Sequence, residues 1–331
     1  MDFGKSKSKN DQLKSNNLVS IIVPAFNHED YVEICLESIF NQTYAEIELL
    51  IVNDGSTDQT HQKIQNWLEK CPDRFLRVEY INRENRGLTN TLNQGLKWAN
   101  GIYFSAIASD DILEIDKISL LVSELEKKGE SYGAAFGNAK FIDGKGEAIS
   151  LEIKDSTGAV ITKTALFLEH YTYGRKFNFR DPAYFGTYSS LLAGNYLPAM
   201  STLVRTESIR EEGGWTAGNT VEDWEMWLKL SKNSRFAYVD QIVASYRWHE
   251  GNTSKIKRER ILRDSIKLLE NEMSYATVNS YHNGFFPVYL FNVRLLKEFD
   301  RKEYKKKMIK LLLNKSFLRF VSIKIRQRRN A

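Results

Sequence analysis

Leu18-Val19-Ser20-Ile21-Ile22-Val23, closed by Pro24, decides the architecture. The run is short, apolar and β-branched, and bounded by proline it reads as a strand buried on both faces. Residues 29–42 follow with Val32, Leu36, Ile39 and Phe40 on one helical face and acidic residues in the first turn. The alternation then repeats. Residues 48–53 form a second buried strand, broken by Asp54-Gly55-Ser56-Thr57-Asp58, with a helix running to about Lys70. A third strand (75–81), a helix (88–99) and a fourth strand (102–107) end at Ser109-Asp110-Asp111. Strand and helix alternating with short connections predict an α/β fold, with parallel strands in this half and helices on both faces.

In such sheets ligands bind beyond the carboxyl ends of the strands. Three polar loops lie there: Pro24-Ala25-Phe26-Asn27, Asn53-Asp54-Gly55-Ser56 and Ser109-Asp110-Asp111. Two adjacent carboxylates at a strand end repel, and a hard divalent cation completed by substrate phosphates relieves them. The plainer reading of Asp110-Asp111 is a solvated turn or a helix cap. Asp54 is either part of a tight turn or an acceptor for a ring imide N–H. Neither a dinucleotide Gly-x-Gly-x-x-Gly nor a Walker Gly-Lys-Ser/Thr occurs, which disfavours a dehydrogenase. In Glu222-Asp223-Trp224-Glu225-Met226-Trp227-Leu228 the carboxylates occupy the first turn of an amphipathic helix. They either complement its dipole or present a general base. His249 ends a later strand, where it is a packed imidazole or a ligand.

These segments together resemble the inverting family 2 glycosyltransferases. The resemblance rests on Val19–Asn27, Ile51–Asp58, Glu84-Asn85-Arg86-Gly87-Leu88, Ser109-Asp110-Asp111, Gly213-Gly214-Trp215, Glu222-Asp223-Trp224 and Tyr246-Arg247-Trp248-His249, in that order. It implies a GT-A fold, with a Rossmann-like mixed sheet flanked by helices, and sugar transfer from a nucleoside diphosphate donor, a UDP-sugar by expectation. It further implies that Pro24, Ala25, Phe26, Asn27, Asp54 and Arg86 hold the nucleotide and that Asp110 lies near the ribose. Asp111 and His249 would bind Mn²⁺ or Mg²⁺, Arg247 would approach the diphosphate, and Asp223 would be the base, with Glu222 as the alternate. Three positions depart from the family pattern: Ala108 where many members carry Asp, Phe26 for Tyr, and Leu92 for Arg.

Charge divides the chain further. Residues 1–254 carry 27 Lys+Arg against 35 Asp+Glu, whereas residues 255–331 carry 20 against 7. The expected organisation is a disordered lead-in (1–17), a glycosyltransferase domain (18–254, with a nucleotide-binding half 18–111 and an acceptor half 112–254) and a basic helical extension (255–331). The extension is either an amphipathic surface for an anionic membrane or a helical hairpin packed on the body. No nucleic-acid motif accompanies its charge, so nucleic acid is not an expected partner. Residues 170–196 hold eight aromatics, read partly as core and partly as an acceptor wall. The lead-in lacks a signal-peptide pattern, and the uncharged stretches 182–204 and 273–293 are too broken to span a bilayer. Cys35 and Cys71 read as thiols in a reducing compartment. The resulting expectation is a cytoplasmic enzyme, peripheral on the inner face of the plasma membrane. Its acceptor would be a glycan or a polyprenyl-diphosphate-linked lipid of bacterial surface polysaccharide synthesis, such as O-antigen or capsule. The competing reading is a catalytically silent sugar-nucleotide-binding or membrane scaffold protein, which Ala108 permits.

Overall fold

The computed structural model describes residues 17–70, 73–155 and 157–329; Cys71 and nearly all of the lead-in lie outside them. In chain order the elements begin β1 (Val19–Ala25), α1 (Val32–Phe40), β2 (Ile47–Asp54), α2 (Thr60–Glu69), β3 (Arg77–Arg83), α3 (Leu88–Trp98) and β4 (Tyr103–Ala106). They continue with β5 (Ile112–Leu113), α4 (Lys117–Lys128), β6 (Tyr132–Ile142), β7 (Leu151–Lys154), β8 (Val160–Thr164), α5 (Phe167–Thr172) and α6 (Tyr188–Leu192). Next come β9 (Thr202–Arg205), α7 (Thr206–Glu211), α8 (Glu222–Leu230) and β10 (Arg235–Arg247). The extension is helical: α9 (Thr253–Ile256), α10 (Arg258–Val278), α11 (His282–Phe299), α12 (Arg301–Leu312) and α13 (Lys315–Arg329). The chain divides into two compact units. The first is the chain up to Thr187 with Tyr196–Gly218 and Lys229–His249; the second is Tyr188–Asn195, Asn219–Leu228 and Glu250–Ala331.

The first unit is built on an eight-stranded sheet in the order β3-β2-β1-β4-β9-β6-β10-β5. β1 runs parallel to both β2 and β4, while β9 pairs antiparallel with β4 and β6, so the sheet is mixed. The chain steps outward from β1 to β2 and β3, then returns to place β4 on the other side of β1. That reversal opens a crevice at the carboxyl ends of β1 and β4, where ligands of open α/β sheets lodge. β2 is buried along its whole length and β1 at all but one residue, which explains their unbroken apolar reading. α3 approaches β1 so closely that a Cβ at Gly95 would stand 2.6 Å from Ile22 Cγ1.

One carboxylate interrupts this core. Glu48 on β2 is fully buried, and its oxygens accept from Ser20 Oγ at 2.5 Å, Arg77 Nη1 at 2.9 Å, Asn100 N at 2.5 Å and Gly101 N at 3.2 Å. Full satisfaction is what makes a buried carboxylate tolerable. The bonds tie β1, β3 and the turn before β4 to the amino-terminal edge of the sheet, opposite the crevice.

In the second unit Tyr188 packs against Tyr275 and Tyr281, and its hydroxyl donates to Glu272 Oε2 at 2.7 Å. Phe285, Phe286, Tyr289, Val293 and Leu296 bury one face of α11. Asp300 caps α12 by accepting from Glu303 N at 2.8 Å. α12 buries Leu311 and leaves Ile309 (60%), Leu312 (54%) and neighbouring Leu313 (76%) exposed. Lys302, Lys305, Lys306 and Lys310 are exposed beside them. Among the described residues no helix is long and apolar enough to cross a membrane.

Candidate active site

Three strand ends of the first unit meet at the crevice. β1 runs into Phe26-Asn27-His28, β4 into Ser109-Asp110-Asp111, and β10 ends just before Trp248-His249. His249 Nε2 lies 3.0 Å from Asp110 Oδ2, and His28 Nε2 lies 3.6 Å from the same oxygen. One donor atom from each of His28, Asp110 and His249 falls within 4.8 Å of the others. His28 Nδ1 bonds Ser109 Oγ at 2.8 Å. The Tyr31 ring packs on both imidazoles, with centroids 6.1 Å from His28 and 5.1 Å from His249.

Asp111 points the other way. Its Oδ1 accepts from Arg247 N at 2.9 Å, and it is not among the three clustered donors. Arg247 is 1% exposed; its Nε donates to Asp110 O at 2.7 Å and its Nη1 to Asp143 O at 3.0 Å. The guanidinium also lies 4.7 Å from the Tyr31 ring centroid. Arg247 therefore braces the Asp110-Asp111 turn from behind. The carbonyl of Ala108 closes the turn by accepting from Asp111 N at 3.1 Å.

The adjacent carboxylates are driven apart in acidity. Burial works to raise Asp110, but the hydrogen bond with His249 and the charge of His28 outweigh it and hold the carboxyl below its ordinary value. Burial and the charge of Asp110 push Asp111 well above its own. The pair thus favours one negative charge, placed on the residue that faces the imidazoles. Burial lowers His28 from its ordinary value, against the pull of the Asp110 charge.

The neighbouring loops are stitched together. Asn27, at φ +52°, donates from its backbone N to Ser56 Oγ at 2.9 Å, and its Oδ1 accepts from Thr57 N at 2.8 Å. Asp54 accepts from Arg83 Nε at 3.0 Å, Arg86 N at 3.0 Å and Gly87 N at 2.7 Å. Arg83 Nη2 also lies 3.0 Å from Oδ1, so the donors crowd Oδ1, while Oδ2 accepts from Gly87 N and keeps one further acceptor position. A Cβ on Gly55, at φ +80°, would sit 2.6 Å from Asn85 N, so glycine is required for the β2 and β3 loops to meet. Phe26 is 45% exposed, whereas Ala25 is buried and Pro24 half-buried. The Arg86 side chain is exposed.

Glu222 and Asp223 belong to the second unit, at the start of α8. Asp223 Oδ2 accepts from Asn195 Nδ2 at 2.7 Å and Oδ1 from Trp224 N at 2.6 Å. Burial raises its pKa above the ordinary value, and these two bonds offset part of that rise. Glu222 is pushed up to about 8 by burial and by the charge of Asp223. The charge of Asp223 thus helps to keep the proton of the pair on Glu222.

The sequence profile of "Glycosyl transferase family 2" matches residues 20–188, just over half of the chain. The chain belongs to this family. Among the relatives of this family 2 glycosyltransferase, the chondroitin synthase of Escherichia coli is 28% identical over 277 residues, covering 84% of this chain and 36% of the relative. The hyaluronan synthase of Pasteurella multocida is 27% identical over 268 residues, covering 80% of this chain and 24% of the relative. The chain thus spans roughly a quarter to a third of the length of these synthases. Among solved structures, a mannosyltransferase from Pyrobaculum calidifontis superposes with a TM-score of 0.55 at 15% identity, over 95% of this chain and 85% of that one. That likeness shows the GT-A fold, here carrying a helical carboxyl-terminal extension.

Sequence reasoning singled out Asp110, Asp111, Asp223, Glu222, Arg247 and His249 but passed over His28, Ser109's bond to it, Arg83 and Asn195. His28 directly follows Asn27 in the first strand-end loop, so its place beyond β1 was a readable signal. Arg83 and Asn195 carry none, because only the fold brings them to Asp54 and Asp223. Of the eight aromatics in 170–196, Phe179, Phe185, Tyr188 and Tyr196 are buried, while Tyr173 and Tyr184 are exposed.

Proposed function

We propose that this chain is a metal-dependent inverting glycosyltransferase that moves a sugar from a nucleoside diphosphate donor, a UDP-sugar by preference, to an acceptor hydroxyl. The observation that carries this reading is the cluster of His28, Asp110 and His249 at the sheet's switch point. A carboxylate and imidazoles are a donor set that suits a divalent cation. In this assignment Asp110 and His249 hold the ion, and Asp111 and Arg247 position Asp110 from behind. A bound cation offsets the negative charge that develops on a departing diphosphate.

The chain's own residues supply the rest. The exposed ring of Phe26 offers a stacking face for the base. The acceptor position left on Asp54 Oδ2 takes the imide N–H of uracil, and Arg86 stands on the adjoining loop after β3. Asp223, held ionised by Asn195 and Trp224 N–H, takes the proton of the acceptor hydroxyl as it attacks the anomeric carbon opposite the leaving group. Neutral Glu222 leaves that carboxylate as the single charge of its pair.

The acceptor we assign is a glycan, free or carried on a polyprenyl diphosphate, in bacterial surface polysaccharide synthesis. The exposed Ile309, Leu312 and Leu313 with Lys305, Lys306 and Lys310 suit attachment to an anionic membrane surface, which would place the enzyme peripherally on the cytoplasmic leaflet. The test is release of UDP from UDP-sugars in the presence of Mn²⁺, with the full chain. Turnover that requires the cation and disappears in Asp110→Ala is the expected result. Nucleotide-sugar binding without release under any acceptor or metal would instead support a silent binding protein.

A further inference from the structure

We infer that His28 is a third protein ligand of the cation, and that it turns the site toward Mn²⁺ and Co²⁺ and away from Mg²⁺. The inference rests on the reading that Asp110 and His249 hold a divalent ion. His28 reaches the same carboxylate oxygen as His249, from the opposite strand end. At 3.6 Å its Nε2 is too far for a hydrogen bond to Asp110 Oδ2, so that nitrogen approaches the carboxylate without bonding it. Ligands about 2.1 Å from one ion and at right angles to each other stand about 3.0 Å apart, and the two N···O separations of 3.0 and 3.6 Å lie close to that spacing.

The ring is also oriented for the task. Nδ1 pairs with Ser109 Oγ at 2.8 Å; in the tautomer that donates from Nδ1, the Nε2 lone pair is left for the cluster, the arrangement that metal-bound histidines adopt. Its main chain is fixed independently: His28 N donates to Thr60 Oγ1 at 2.9 Å, and its carbonyl accepts from Tyr31 N and Val32 N. Ala108 is exposed beyond β4, two residues before Asp110, and its methyl group offers a cation no donor. Two imidazoles and one carboxylate make a different set from two carboxylates. Mg²⁺ prefers oxygen ligands and gives up water reluctantly, whereas first-row transition ions accept nitrogen.

The test is calorimetric titration of the full chain with Mn²⁺, Co²⁺ and Mg²⁺ alone, together with the Co²⁺ absorption spectrum. Wild type should bind Mn²⁺ and Co²⁺ about tenfold or more tighter than Mg²⁺. His28→Ala should lose about tenfold or more in Mn²⁺ and Co²⁺ affinity, change the Co²⁺ spectrum and lose the preference over Mg²⁺. Adding Ala108→Asp to His28→Ala should restore binding to Mn²⁺ and Mg²⁺ alike. Should His28→Ala not fold, Ser109→Ala releases the ring's orientation and should weaken Mn²⁺ by about tenfold. A folded His28→Ala that binds Mn²⁺ like wild type overturns the role of His28 and leaves the Asp110–His249 site standing. Wild type that takes up none of the three ions overturns the cation reading itself.

Discussion

Two regions of this molecule each carry a pair of adjacent carboxylates, and the fold treats them in opposite ways. Asp110-Asp111, in the sheet-based unit, is met by two imidazoles on one side and by the backbone N–H of Arg247 on the other. Its charge settles on Asp110, held acidic and facing the crevice. Glu222-Asp223, in the helical unit, is met instead by Asn195 and the backbone N–H of Trp224 among the described residues; burial raises both carboxyls, and these hydrogen bonds favour charge on Asp223. The first arrangement suits the ion-holding role proposed for it, the second the proposed role of proton acceptor. Two pairs of adjacent carboxylates are set apart in chemistry because their neighbours differ.

The largest effect expected from breaking this contrast is on turnover. Asp223→Asn should lower kcat by about 10²- to 10⁴-fold, the range of a positioned general base, and leave donor affinity unchanged in nucleotide-sugar titrations. An active Asp223→Asn alongside an inactive Glu222→Gln would reverse the roles within the second pair. Next in size is the basic face of α12 in the same unit. Replacing Lys305, Lys306 and Lys310 with Gln should weaken co-sedimentation with anionic vesicles by about a hundredfold, at about 1 kcal/mol per charge. Equal pelleting of variant and wild type would dissociate the helical unit from any membrane role.

Stability should expose the contrast in protonation. Glu222 titrates at about 8 in the folded chain, above its ordinary 4.5, so the folded state binds the extra proton between those values. Its contribution is complete below 4.5 and is lost as pH rises through 8. Wild type should therefore lose on the order of 2 kcal/mol between pH 6 and 8 relative to Glu222→Gln in denaturant unfolding. Lys117 in the sheet-based unit supplies the smaller effect with the opposite sign. It is fully buried, bonded to Ser105 Oγ and Met200 O at 2.7 Å each, and burial lowers it from 10.5 to about 7. The unfolded state binds more protons between those values, so stability rises with pH there. Wild type should gain about 1.4 kcal/mol relative to Lys117→Met from pH 8 to 9, and a flat difference would mean that the buried amine stays charged.

Much of the first unit was legible because its strands are buried on both faces and its helices are amphipathic. Burial forces unbroken β-branched runs such as 19–23 and 48–52, and the strand–helix alternation then dictates where the loops collect. What escaped reading was short or non-local. β5 has two residues and β9 four, too few to establish a period, and β9 lies at the end of an aromatic stretch with no pattern of its own. The antiparallel insertion of β9 between β4 and β6, which makes the sheet mixed, was therefore implied only by family resemblance.

The sequence alone determined the order of the elements, the acids at the strand ends and the basic character of the extension, because each follows from local composition and spacing. Tertiary structure alone decided which acid faces the crevice. Asp110 and Asp111 are neighbours in the chain, yet Arg247, more than a hundred residues away, turns one inward, while His28 and His249 receive the other. Those partners are set by the strand order, which brings β1, β4 and β10 to one rim, and no spacing rule within the chain encodes that meeting.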